Sequence, residues 1–315
     1  MTKTLEKQKC ICYNQGNGNV TLFFMEDIVM KVALSHSGMT LNRENFENMK
    51  KSGIDAVEVG LGYSFAEILD YKAIAKFAAD ADVLLWSSHL PFMPYDKLDM
   101  ASLDGNVRNG SVEYYTELIK KLAAVGVDKF VIHPSREPIP EDESRAEHIK
   151  CAKESFSRLA DDAAREGAVI AVEDLPRSCL GRSAEEMLDI ISANDKLRVC
   201  FDSNHLMIDT NVNFLEKLAD KIITVHISDF DFANERHWLP GEGKLVWQPI
   251  YKKLCEIGYA GPWLYEINFK CPKTIIRERD LTYADFYENA QTIFSGKEPQ
   301  KPDFTTHKEH IGMWE

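Results

Sequence analysis

Short apolar runs rich in valine and isoleucine alternate along this chain with longer stretches whose apolar positions recur at helical spacing, from about residue 30 to about residue 296. The runs predict strands at Lys31–Leu34, Ala56–Gly60, Val83–His89, Lys129–His133, Val169–Glu173, Val199–Asp202, Ile222–His226 and Trp263–Glu266. The intervening pattern predicts helices such as Val107–Ala124, Arg145–Glu166 and Ser183–Ser192. The last of these opens on Ser183 with Glu186 three residues on, the signature of a capping box. Parallel strands cannot be joined by a tight turn, so this alternation implies a parallel sheet with crossover helices. Eight such units favour a closed (β/α)8 barrel, the TIM barrel, over an open doubly wound sheet. The open alternative would carry a glycine-rich phosphate loop after its first strand, and Ser35–Thr40 holds only Gly38.

Two segments fall outside the repeat. The expected organisation is an N-terminal extension over 1–29, a barrel over 30–296 and a C-terminal tail over 297–315. Within the extension, Gln15–Asn19 could turn a hairpin. The tail, with Pro299, Pro302 and many charged residues, reads as a segment crossing the barrel surface or meeting another subunit. At 315 residues, 44% of them hydrophobic and 28% charged, the chain can bury a sizeable core and does not read as disordered. Fifty acidic against 37 basic residues give a formal charge of -13, which opposes attraction to nucleic-acid phosphates and anionic membranes. No apolar stretch approaches the roughly 18 residues that a membrane span needs. The seven cysteines are scattered, without paired Cys-x-x-Cys motifs. The expectation is a cytoplasmic protein with reduced cysteines and no nucleic-acid or membrane partner. Its oligomeric state is open, homo-oligomers included.

In a barrel the carboxyl ends of the strands converge on one mouth, where the active sites of this fold lie. Six consecutive predicted strands reach that mouth with a histidine or an acid: His89, His133, Glu173, Asp202, His226 and Glu266. Taken singly, each reads most simply as a solvated or hydrogen-bonded loop residue. Six in series make coincidence a poor account. Three carboxylates around one mouth raise one another's pKa unless a cation compensates. Glu173, Asp202, His226 and Glu266 offer an oxygen-rich shell with one imidazole, suited to one divalent ion of manganese, magnesium, cobalt or zinc.

The series of motifs resembles the xylose isomerase-like barrel superfamily of sugar isomerases and epimerases, which includes ketose 3-epimerases, hydroxypyruvate isomerases and inosose dehydratases. VCFDSNH around Asp202 and RHWLPGEG around His237 carry it most specifically, and the match spans the whole repeat. The resemblance implies that Glu173, Asp202, His226 and Glu266 hold the metal and that Glu173 and Glu266 form the acid–base pair. The implied reaction is isomerisation or epimerisation of a small keto-sugar, keto-polyol or sugar phosphate through an enediolate, one carboxylate taking a proton and the other returning one. His89, His133, His205, His237, Trp238 and Arg177 are expected to meet the substrate, with Trp86 and Phe92 further candidates for stacking on a sugar face. Gly241 and Gly243 are expected to let the His237 loop approach a ligand closely.

Other readings share these residues. An inosose dehydratase-like lyase would follow proton removal with loss of hydroxide. Endonuclease IV, a DNA-repair enzyme of the same fold, surrounds three zinc ions with nine ligands. That pattern nearly recurs at His89, His133, Glu173, Asp202, His205, His226, Glu235, His237 and Glu266, with Glu235 standing where that family has Asp. Glu235 and His237 are thereby candidates for a second metal. The acidic charge and the lack of basic loop clusters after the early strands weigh against a duplex-binding enzyme. A barrel that binds sugar or metal without turnover is the non-catalytic alternative.

Overall fold

The computed structural model describes residues 30–308 and the backbone of two short strands, Ile11–Cys12 and Phe23–Phe24, which pair antiparallel. The hairpin turn expected at Gln15–Asn19 lies outside the described residues. Eight strands form one parallel sheet: β1 (Val32–Ser37), β2 (Ala56–Gly60), β3 (Leu84–His89), β4 (Lys129–Ile132), β5 (Val169–Glu173), β6 (Arg198–Asp202), β7 (Ile222–His226) and β8 (Trp263–Tyr265). Each is followed by a helix: α1 (Arg43–Lys51), α2 (Tyr71–Asp80), α3 (Gly105–Ala123), α4 (Arg145–Arg165), α5 (Ala184–Ile191), α6 (Asn211–Lys217), α7 (Trp247–Glu256) and α8 (Tyr283–Phe294). The order is β8-β1-β2-β3-β4-β5-β6-β7, and the ring closes between β7 and β8. There the Ile227 N–H donates to Leu264 O at 2.8 Å and the Glu266 N–H to Ile227 O at 3.2 Å. β1 runs on past the predicted end at Leu34, because His36 and Ser37 still pair with Val59 and Gly60 while their polar side chains break the apolar pattern.

Side chains alternate across a strand, and this period of two decides what reaches the mouth. On β5, Ile170 and Val172 join the large core shared with the helices, whereas Ala171 belongs to a small buried cluster with Val131 and Cys200. Two residues on from these three stand His133, Glu173 and Asp202, and two on from Thr224 stands His226. The inward face of β4 to β6 thus carries a small apolar layer with polar residues one inward position above it. Each outward Val or Ile withdrawn from water contributes about 1.5–3 kcal/mol to the layer that holds this register.

Side chains of Asn42, Asp70, Asp104, Ser144, Ser183 and Thr210 accept backbone N–H groups at the starts of α1 to α6. Such caps are each worth about 0.5–2 kcal/mol. The capping box expected at Ser183 is only half formed. Its Glu186 turns away to accept two hydrogen bonds from Arg145, both 2.7 Å, and the Gly181 N–H at 2.7 Å, which ties the loop after β5 to α4. The reciprocal box forms instead at Thr282 and Asp285, opening α8.

The tail folds back as β10 (Thr305–His307), antiparallel to β9 (Ile275–Arg277). Glu242 of the LPGEG loop is the clasp. Fully buried, it accepts from Arg277 at 2.9 and 2.7 Å, from Thr305 Oγ1 at 2.7 Å and from the Leu239 N–H at 2.8 Å. The loop glycines are called for by this packing. A Cβ on Gly241 (φ 96°) would lie 2.8 Å from Pro299 O, and one on Gly243 would run into the Asp229 carboxylate. Among the described residues no helix is long and apolar enough to cross a membrane.

Glu242→Ala strands a buried arginine, so it is expected to cost roughly 3–5 kcal/mol in urea unfolding. A loss of about 1 kcal/mol or less, the scale of an exposed ion pair, would show that the clasp contributes little.

Candidate metal centre

Strand ends β5 to β8 bring four of the predicted residues to one point. His226 Nδ1 lies 2.7 Å from Glu173 Oε1, 3.4 Å from Glu266 Oε2 and 3.9 Å from Asp202 Oδ2. One ligand atom from each of Glu173, Asp202, His226 and Glu266 lies within 4.8 Å of all the others. Asp202 is held from below: its N–H donates to Asp174 Oδ1 at 2.7 Å and its Oδ1 accepts the Asn204 N–H at 2.6 Å. Its Oδ2, buried and aimed into the cluster, has no hydrogen-bond partner. Of the four, Glu266 alone opens to solvent, with a quarter of its side chain exposed.

The charges do not balance by themselves. Burial pushes the Asp202 carboxyl well above its ordinary range, and repulsion from Glu266 and Glu173 pushes it further. Burial also opposes the charge on Glu173, but His226, His133 and His89 outweigh it and hold that carboxylate well below its ordinary range. For His226, burial is outweighed by Cys200, Glu266, Glu58 and Glu173, which raise its pKa well above the usual value. Mutual elevation of three carboxylates therefore appears at Asp202 alone, because histidines compensate Glu173 and Glu266. A buried, unpartnered carboxylate oxygen among two further acids and an imidazole is a donor set that fits a divalent cation.

Two neighbouring sets adjoin this one. His89 Nε2 and His133 Nε2 lie 3.1 and 3.3 Å from Glu173 Oε2, so Glu173 is shared. His205, Glu235 and His237 form the other, again with ligand atoms within 4.8 Å. The rings are held from outside. His89 Nδ1 donates to Leu90 O at 2.9 Å, His205 Nδ1 to Asp174 O at 2.7 Å and His237 Nδ1 to Glu266 O at 3.2 Å. A carbonyl only accepts, so each Nε2 is left to face the cavity.

Some expected substrate contacts are placed otherwise. Trp238 is 2% exposed; its Nε1 donates to Thr274 Oγ1 at 2.9 Å and its ring stacks on His307, so it packs against the tail instead of the cavity. Trp86 lies in the barrel interior, donating to Thr224 Oγ1 at 3.1 Å. Phe92 stays at the wall, stacked on His133 with centroids 4.4 Å apart. Arg177 reaches the rim but spends its guanidinium on Glu137 at 2.9 Å, Glu235 at 2.7 Å and Asn234 at 2.8 Å. It and His237 adopt left-handed backbone, φ 57° and 51°, at a cost of about 1–2 kcal/mol each. Backbone strain of this kind concentrates where surrounding contacts over-determine a site.

Sequence reading missed Glu58 and Glu137. Glu58 is fully buried and faces His226 Nε2 at 2.9 Å; Glu137 faces His133 Nδ1 at 3.0 Å. A signal for Glu58 was present: a carboxylate inside the apolar run Ala56–Gly60 needs a buried partner.

A cluster of acids and histidines at the carboxyl end of a closed eight-stranded barrel defines a TIM-barrel protein with a candidate metal centre. Residues 46–283 match the family model described as xylose isomerase-like TIM barrel, and the chain belongs to that family. The uncharacterized protein MJ1311 of Methanocaldococcus jannaschii is 30% identical over 176 residues, 53% of this chain and 60% of that protein, so the chain spans less than two thirds of this relative's length. The fructoselysine 3-epimerase of Escherichia coli O157:H7 is 36% identical over 50 residues, 16% of this chain and 18% of that enzyme. A crystal structure of D-psicose 3-epimerase in the presence of D-fructose superposes with a TM-score of 0.69 at 21% identity, covering 85% of this chain and 98% of that one. At that identity the likeness establishes the fold.

Asp202→Asn removes a carboxyl that burial and two neighbouring acids make costly to ionise. The metal-free variant is expected to melt above the parent, while the gain in Tm on adding manganese shrinks. Equal gains in variant and parent, by differential scanning fluorimetry, would mean that Asp202 does not reach the cation.

Proposed function

We propose that the chain is a divalent-metal-dependent isomerase or epimerase of a small keto-sugar, keto-polyol or sugar phosphate. The observation that carries this reading is the four-residue cluster around the unpartnered Asp202 Oδ2, open to solvent at Glu266. The epimerase names of the short sequence match and of the structural neighbour support it. A cation bound there would polarise the carbonyl and hydroxyl oxygens of a ketose and stabilise negative charge beside them. Glu266, on the open side, is the carboxylate placed to take a proton from the adjacent C–H. Glu173, oriented by His226 on one oxygen and by His89 and His133 on the other, is the second carrier. Carriers on opposite faces of a flat intermediate invert a carbon, and carriers on one face move the carbonyl.

The test is solvent deuterium exchange into a panel of ketoses and keto-inositols with added manganese, read by NMR. Glu173→Gln and Glu266→Gln are each expected to lower exchange by about 10²–10⁴-fold, the usual worth of a general acid or base, with the fold intact by circular dichroism. Parental exchange in either variant would defeat its role, and an ultraviolet-absorbing enone would move the reading to a dehydratase.

A second reading has an observation of its own. The three adjoining ligand sets, with Glu173 shared by two of them, come close to the nine-residue pattern of a trinuclear phosphodiesterase, with Glu235 in place of an aspartate. Against it, the rim arginines are already engaged by acids, Arg136 with Glu143, Arg177 with Glu137 and Glu235, and Arg236 with Asp231. Arginines engaged in this way offer less to a phosphate backbone. One tightly held ion per chain by elemental mass spectrometry, and no cleavage of abasic-site DNA, is the expected result. Three ions with cleavage would reverse the order of the readings.

A further inference from the structure

We propose that Glu58 is a positioning residue for His226, holding the ring so that Nδ1 alone faces the cation cluster. The inference rests on the cation reading of that cluster and adds what makes its one imidazole a ligand of defined orientation.

Glu58 and His226 are both fully buried, on β2 and β7, and His226 Nε2 lies 2.9 Å from Glu58 Oε1. The other Glu58 oxygen accepts the Ser87 hydroxyl at 2.7 Å, so the carboxylate is pinned at both ends. A carboxylate accepts at this separation, so Nε2 carries a proton; Nδ1, 2.7 Å from Glu173 Oε1, donates as well and is the nitrogen that would give up its proton to a bound cation, while Glu58 keeps Nε2 protonated. The remaining nitrogen, Nδ1, is the one aimed at Glu173, Glu266 and Asp202.

This orientation is the reverse of that at His89, His205 and His237, whose Nδ1 atoms are tied to backbone carbonyls and whose Nε2 atoms face inward. The reason lies in the fold. Those three stand at a strand end or on loops, beside carbonyls free to accept. His226 ends a strand whose carbonyls are engaged by neighbours, its own accepting the Ser203 N–H at 3.0 Å. Its acceptor therefore comes from across the barrel, from a strand that is not a ladder neighbour of β7. No other part of the proposed chemistry uses this buried carboxylate, and an acid in the middle of an apolar strand is costly unless it holds such a partner.

The experiment compares the parent with Glu58→Gln, which keeps an acceptor, and Glu58→Met, which keeps the volume and loses it. Imidazole 15N resonances are followed in histidine-labelled protein, metal-free and zinc-loaded, with His226 assigned from His226→Asn. Zinc affinity is measured by competition with a chelating dye. In the parent and in Glu58→Gln, zinc is expected to shift Nδ1 of His226 while Nε2 keeps its proton. In Glu58→Met the Nε2 proton loses its protection and zinc affinity falls about 10–100-fold, the usual cost of removing a ligand's outer partner. Glu58→Gln restores affinity to within a few-fold of the parent. Normal zinc binding in the parent with an unchanged ring and affinity in Glu58→Met, whatever its melting temperature, overturns this inference alone. Absence of zinc binding through His226 in the parent overturns the cation reading and this inference together.

Discussion

Like charges buried together must be compensated, and the mouth of this barrel is organised around that requirement. Two carboxylates about 4 Å apart repel by roughly 4 kcal/mol at an effective dielectric of about 20. Glu173, Asp202 and Glu266 meet under these conditions, with Glu58 and Asp174 buried close by. Histidines answer most of the charge. Glu173 has three of them, and Asp202 has none at hydrogen-bonding distance, so the deficit collects at its unpartnered Oδ2. The site is therefore defined less by any one residue than by where compensation runs out.

The barrel meets the geometric half of this requirement through its simplest property. Inward-facing residues recur every second position, and on β4 to β6 the next inward positions beyond Val131, Ala171 and Cys200 stand at the mouth. Closure matters as much as packing. The backbone N–H of Glu266 makes one of the bonds that join β8 to β7, so the group that faces solvent is anchored by the seam of the barrel itself. The LPGEG loop and the returning tail then lock the far side through Glu242 and Arg277, with both loop glycines packed against their surroundings.

Three arginines at the rim are spent internally. Arg136, Arg177 and Arg236 each meet an acid of this chain, as the excess of acids behind the net charge of -13 makes easy. His205, Glu235 and His237 nevertheless make a second ligand set beside the first, and Arg177 neutralises its acid.

Sequence alone determined the eight strands of the sheet and, for six of them, the polar residue at or just past the carboxyl end, because hydrophobic period and strand polarity are local properties of the chain. It also placed Glu173, Asp202, His226 and Glu266 at one mouth, since parallel strands in a closed barrel leave their carboxyl ends nowhere else to go. Tertiary structure decided the partners. That Trp238 serves the tail, that Arg177 is consumed by Glu137 and Glu235, and that Glu58 reaches His226 from across the barrel are facts about side chains far apart in sequence, 168 positions in the last case. No periodicity encodes such pairings. They follow from which inward residues the closed ring turns toward one another, and burial then forces each polar group among them to find its complement.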